Sequence, residues 1–126
     1  MQIGVSSYSF SRLVGKGEMT ELEVVEKARE MGFDTLEFST IHVPEGETLP
    51  SYAEKLRKAC DRAGFRVANY TVPADFINGS GGDLRAEIER VKEEVRIAEV
   101  LGAPGMRHDA TRGFAADYQG EKSFDA

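Results

Sequence analysis

Apolar residues along this chain keep two spacings in alternation. Where they recur every three or four positions they mark helices. Tyr52, Leu56, Ala59, Cys60 and Ala63 share one face of such a stretch, and Leu84, Ile88, Val91, Val95 and Ala98 share one face of another. Where they alternate with other residues they mark strands, as Leu36 and Phe38 do around Glu37, and Ile3 and Val5 around Gly4. The junctions repeat too. AREMGFDTLEF, CDRAGFRVANY and AEVLGAPGMRH each read as a helix end, a glycine and a short strand. Their glycines, Gly32, Gly64 and Gly102, stand 32 and then 38 residues apart, the length of one strand-plus-helix unit.

This pattern predicts strand 2–7, helix 21–31, strand 35–39, helix 50–63, strand 66–71, helix 84–101 and strand 105–109. The helix starts carry their own signals. Thr20 and Glu23 match the T-x-x-E capping box. Pro50 suits a first turn, where its missing N–H costs nothing, and Asp83 is placed to cap the third helix. Strict alternation implies an α/β fold of parallel strands with right-handed crossovers. The Glu, Lys and Arg residues opposite each apolar stripe read as solvated faces. NGSGGD (78–83) reads as a flexible loop, since it has neither the Lys-Ser/Thr of a P-loop nor G-x-G-x-x-G spacing. GKG (15–17) reads the same way.

The chain has 126 residues, enough for one modest domain with a real core. Its net charge of −6 and lack of a long basic run speak against a nucleic-acid partner. The single cysteine, Cys60, excludes an internal disulfide and falls on an apolar helix face, so it reads as a core residue. MQIGVSSYSF lacks the basic start and apolar run of a signal peptide. No stretch approaches the roughly 20 apolar residues of a membrane span. The expectation is a cytoplasmic protein with no membrane partner.

Polar residues collect at the C-terminal ends of all four predicted strands, as SSYS, EFST, NYT and RHDAT. In parallel α/β proteins that end carries the binding site, so together they outline the rim of a pocket. Alternation then sorts the side chains. Ile3, Val5, Leu36, Phe38 and Met106 face the helices, leaving Gly4, Ser6, Tyr8, Glu37, Ser39, Arg107 and Asp109 on the other side. His108 falls on the helix side or at the top edge, where a structural role under a loop stands beside substrate contact. Glu37 equally admits a structural reading, paired with Arg107 or a backbone amide. His42, in the loop IHVPEG, reads as solvated.

MQIGVSSYSF, GFDTLEFS and LGAPGMRHDATRG together resemble the N-terminal half of a sugar phosphate isomerase/epimerase, in the xylose isomerase-like group of TIM barrels that also includes endonuclease IV. The most specific piece is the G-[FY]-D-x-[LV]-E-[FL] pattern at 32–38. The resemblance implies an eight-stranded (β/α) barrel of roughly 250 residues. Four strands and three helices of it stand here, half a barrel, with Ser123 and Asp125 beginning a fourth helix. It implies a divalent metal ion (Mn, Mg, Co or Zn) held by Glu, Asp, His and Glu side chains on strands 5 to 8. None of those positions lies in this chain, so no metal is expected on this half and no turnover from it alone. In the complete barrel the ion would polarise a ketose-like substrate while carboxylates move the proton. Matched by position, Ser6, Tyr8, Glu37, Asn69, Arg107 and Asp109, with His108 beside them, would form the substrate-binding wall; no catalytic residue is assigned.

Endonuclease-like members add histidines at the ends of strands 3 and 4. Here Asn69-Tyr70-Thr71 and Asp109 stand in those places, which with the acidic charge turns the expectation away from DNA. A second reading stays open: a non-catalytic half-barrel that binds, or that forms a homodimer through its open sheet edges. A flavodoxin-like domain rests only on SSYSFS and lacks the glycine of a flavin phosphate loop. A receiver domain would need an acidic pair where Ser6 and Ser7 stand. The tail 113–126 is expected to be loosely held, having no helix to pack on.

Overall fold

A computed structural model describes residues 1–121. Four parallel strands lie side by side in chain order: β1 (Gly4–Ser6), β2 (Thr35–Ser39), β3 (Arg66–Val72) and β4 (Met106–His108). The helices are α1 (Ser11–Gly15), α2 (Glu21–Glu30), α3 (Leu49–Ala63) and α4 (Leu84–Leu101). Each crossover steps one strand further in the same direction. With one hand of crossover, that places α2, α3 and α4 on one face and leaves the other open. None of the described helices is long and apolar enough to cross a membrane.

The core lies between sheet and helices. Leu36, Phe38, Val67, Tyr70 and Val72 meet Val24, Val25, Tyr52, Leu56, Cys60 and Leu101 there. Each large side chain taken out of water contributes about 1.5–3 kcal/mol. Local signals set the helix ends. Thr20 and Glu23 close the capping box in both directions. Thr48 accepts from the Ser51 N–H, with Pro50 inside the first turn. Asp83 accepts from the Ala86 N–H at 3.0 Å. Gly64 and Gly102 end α3 and α4 at φ 73° and 70°, where a Cβ would be strained.

Three features depart from the sequence pattern. Ile3, expected on the helix side, is 52 % exposed. β1 is only three residues long, and Ile3 precedes it, its main chain tied to Asp34 by bonds of 2.8 Å in each direction. After β1, a 3-10 turn over Ser7–Phe10 runs into α1; so short a helix shows no apolar period to read. Third, α4 is turned about its axis relative to the predicted stripe. Leu84, Ile88 and Val95 are 52, 38 and 53 % exposed, while Glu87, Val91, Ala98 and Leu101 are buried. Val91 and Ala98 belong to both stripes, so periodicity could not choose between them. Glu87 does: its carboxylate is drawn beneath the loop that precedes α4.

After β4 the described chain forms no helix or strand. At the start of the tail Asn78 Nδ2 donates to the Gly113 carbonyl at 2.9 Å, and within it the Phe114 and Tyr118 rings stack at 4.4 Å. The expected fourth-helix start at Ser123 and Asp125 lies outside the described residues.

Candidate functional site

The open face of the sheet is polar because of strand pleating and one irregularity. Glu37 and Ser39 project from β2 away from the buried Leu36 and Phe38. In β3, Leu36 pairs with Val67 but Glu37 pairs with Asn69, so Ala68 is an extra residue, a β-bulge. Without it Asn69 would sit opposite Phe38, on the packed side. With it, Asn69 comes beside Glu37 and Tyr70 takes the place opposite Phe38. Asn69 Nδ2 then donates to Glu37 Oε2 at 3.1 Å and to Thr71 Oγ1 at 3.2 Å. At the foot of this face Gly4 lies beside Thr35, whose hydroxyl occupies the space a Cβ on Gly4 would need.

Above this floor, at the C-terminal strand ends, is a cavity of about 650 Å³. Ser6, Tyr8, Glu37, Arg107 and Asp109 line it, the first, third and fourth from strands and Tyr8 and Asp109 from just past β1 and β4. Asn69 lies beneath, holding Glu37. Arg107 pairs with Asp109 at 3.1 Å rather than with Glu37, and both partners are more than half exposed, so this bridge adds little stability. The structure does not bring His108 to the cavity. Its ring stands edge-on to Phe76 at 5.7 Å, and Nδ1 lies 2.8 Å from the Asp109 carbonyl oxygen. Thr40, Thr71 and Arg112 line the cavity as well. Thr40 is left-handed at φ 46°, unusual for a β-branched residue and a form of strain that gathers at functional sites.

Two buried glutamates hold the loops around this rim. Glu21, in the first turn of α2, accepts the main-chain N–H of His42 at 2.7 Å and the Tyr52 hydroxyl at 3.3 Å, and lies 3.1 Å from His42 Nδ1. His42 is therefore not simply solvated, though its side chain is half exposed. Burial, and then the charge of Glu21, pushes the Tyr52 hydroxyl up to about 12. Glu87, near the start of α4, accepts from the Asp75 N–H at 3.0 Å, the Ser80 hydroxyl at 2.8 Å and Arg90. Arg90 above all draws its carboxyl down to about 2. Each glutamate thus ties the loop leaving one strand to the helix N-terminus behind it. Neither link is legible in sequence, because 21 and 12 residues separate the partners.

The family described as the xylose isomerase-like TIM barrel matches residues 25–124. The chain belongs to that family. The three (β/α) steps and the fourth strand are thus part of a xylose isomerase-like barrel, and the cavity stands at the strand ends where such barrels carry their sites. Among solved structures, the chain is similar to the probable 3-DHS dehydratase AsbF from Bacillus anthracis, involved in petrobactin synthesis. The TM-score is 0.64 at 16 % identity, over 94 % of this chain and 42 % of that one. At that identity the likeness concerns the fold alone. This chain spans less than half the length of that structure's chain. No curated protein matches it. Among the described residues, no group of three or more His, Cys, Asp or Glu side chains is placed to hold a metal ion. The described residues of this part of the xylose isomerase-like barrel do not by themselves make a set for the divalent ion that the family resemblance implies.

Proposed function

We propose that this chain forms the substrate-binding wall of a sugar or sugar phosphate isomerase/epimerase barrel acting on a ketose-like substrate. The observation that carries the reading is the Glu37–Asn69 pair, set side by side on the open face below a cavity rimmed with hydroxyls. A polyol presents donors and acceptors in alternation. A carboxylate, an amide and the hydroxyls of Ser6, Ser39 and Thr71 answer that pattern. The role of these residues is to bind and orient. No proton transfer is assigned to them, and no step is routed through a metal ion. The same reading keeps the protein in the cytoplasm, in line with a chain whose one cysteine is buried, and makes a small sugar, not a nucleic acid or a membrane, its partner.

The test is a titration of the chain with xylitol and with D-fructose, followed by NMR. Saturable shifts centred on Glu37, Asn69 and Thr71, lost in Asn69→Ala, are the expected result. No saturable binding, or binding unaffected by Asn69→Ala, would overturn the reading. Turnover is not expected from this chain with Mn²⁺, Mg²⁺, Co²⁺ or Zn²⁺ present, and epimerisation by the pure chain would overturn that part.

One observation favours a second reading, that of a non-catalytic half-barrel that pairs with a second copy. β1 and β4 lie at the ends of the strand order, and Leu84, Ile88 and Val95 stand exposed along α4. Open edges and an apolar helix flank both invite association. Light scattering on a sizing column separates the two: a dimer favours the pairing module, a monomer the wall.

A further inference from the structure

One carboxylate joins the loop after β3 to the segment after β4. Asp75 accepts the main-chain N–H groups of Ile77 at 3.1 Å and Asn78 at 3.0 Å, and the Asn78 side-chain amide at 3.2 Å. From the other segment it accepts the Thr111 hydroxyl at 3.0 Å and the main-chain N–H of Arg112 at 3.4 Å. Across the same gap the Phe76 N–H donates to the Ala110 carbonyl at 2.8 Å. These bonds hold the main chain of Arg112 where its residue forms the wall between two cavities. One is the substrate cavity of about 650 Å³, and the other, beside it, is about 740 Å³.

The charged groups around it have other partners, ionic for Arg107 and Arg90 and a neutral amide for Glu37. Arg107 is bonded to Asp109, Glu37 to Asn69, and Arg90 to Glu87 and Glu94. Among the described residues the Arg112 guanidinium has no ion-pair partner. The residue carrying this cation is exposed and lines both cavities.

We propose that Arg112 is an anion-binding residue, taking the carboxylate or phosphate group of the substrate at the cavity mouth, with Asp75 as its positioning residue. This rests on the polyol-wall reading and narrows the substrate to an anionic polyol. A guanidinium presents paired N–H donors in the geometry of an oxyanion. The hydroxyls of Ser6 and Ser9, which line the same cavity, supply further donors. Asp75 stays ionised through the neutral and mildly acidic range, because the Asn78 N–H above all holds its carboxyl far below the usual value.

The experiment follows the main-chain amide signals of Ser6, Ser9 and Arg112, all at the cavity, by NMR while inorganic phosphate or, separately, glycolate is added. The two arms tell which oxyanion the site takes. A saturable shift is expected, weakened about tenfold in Arg112→Gln and partly restored in Arg112→Lys. Arg12→Gln removes an exposed charge that lines neither cavity and leaves binding unchanged. Asp75→Asn weakens anion binding but not xylitol binding, whereas a merely structural role would weaken both. Equal binding by Arg112→Gln, or equal loss in Arg12→Gln, would overturn the proposal. Anion binding without xylitol binding would overturn the polyol wall and leave the anion site standing. Xylitol binding without either anion would do the reverse.

Discussion

The same strands present two faces held by different forces. On the helix side Leu36, Phe38, Val67, Tyr70 and Val72 are at most 4 % exposed, all within one core. One residue along, Glu37, Ser39, Asn69 and Thr71 remain half-buried on the open side. There the contacts are hydrogen bonds, such as Asn69 to Glu37 at 3.1 Å and Asn69 to the Thr71 hydroxyl at 3.2 Å. The packed face is stabilised by removing apolar area from water, about 25 cal/mol per Å². Each hydrogen bond on the open face contributes about 1 kcal/mol net. The packed face therefore carries the fold. The open face can vary in chemistry at little cost to stability, which is what a binding surface needs.

The largest effect should come from the packed face. Leu36→Ala is expected to cost about 2–5 kcal/mol by urea unfolding, and a loss below about 1 kcal/mol would break the contrast between the faces. Acid should act next, at the rim between them. The Glu87 carboxyl lies at about 2 in the folded chain against an ordinary 4.5. A depressed carboxyl contributes stability that is present above pH 4.5 and lost as the pH falls toward 2. The urea midpoint should drop across that window, and less steeply in Glu87→Gln. Tyr70→Phe probes a polar contact at the border of the core. It removes the 2.8 Å bond from the Tyr70 hydroxyl to Glu94 and should cost about 1 kcal/mol. The smallest change should be Glu37→Gln, which keeps an acceptor for Asn69. Its unfolding free energy should stay within about 0.5 kcal/mol of the parent while xylitol binding weakens; a loss as large as that of Leu36→Ala would mean the open face also carries the fold.

Much of the fold was legible because its signals are local. Strand 35–39 and helix 84–101 appear with the predicted limits, Thr35–Ser39 and Leu84–Leu101, since alternation, an Asp83 cap and a Gly102 stop all lie within a few residues. Ser6, Glu37 and Arg107 were placed on the open side for the same reason, each following its strand's period of two, whereas Tyr8 and Asp109 reach the cavity from just past β1 and β4. Asn69 was assigned to the right face, but its sequence shows no bulge; only the pairing of β3 with β2 reveals Ala68 as the extra residue. Arg112 and Asp75 follow no period, as both sit in irregular chain. An Asp three residues before an Asn, right after a strand, is the one sign that could have marked the Asp75 turn.

The order and kind of the four strands and three long helices, the caps at Thr20 and Asp83, and the polar strand ends were decided within windows of a few residues, where steric preference and periodicity act. The rotation of α4, the burial of Glu21 and Glu87, the hold of Glu21 on His42 and the position of Arg112 were decided otherwise. They depend on which of several possible partners a side chain meets once distant segments pack. Two apolar stripes on one helix are equivalent to a local rule, and only the core around Ala98 and Leu101, with the loop above Glu87, makes one of them the inside.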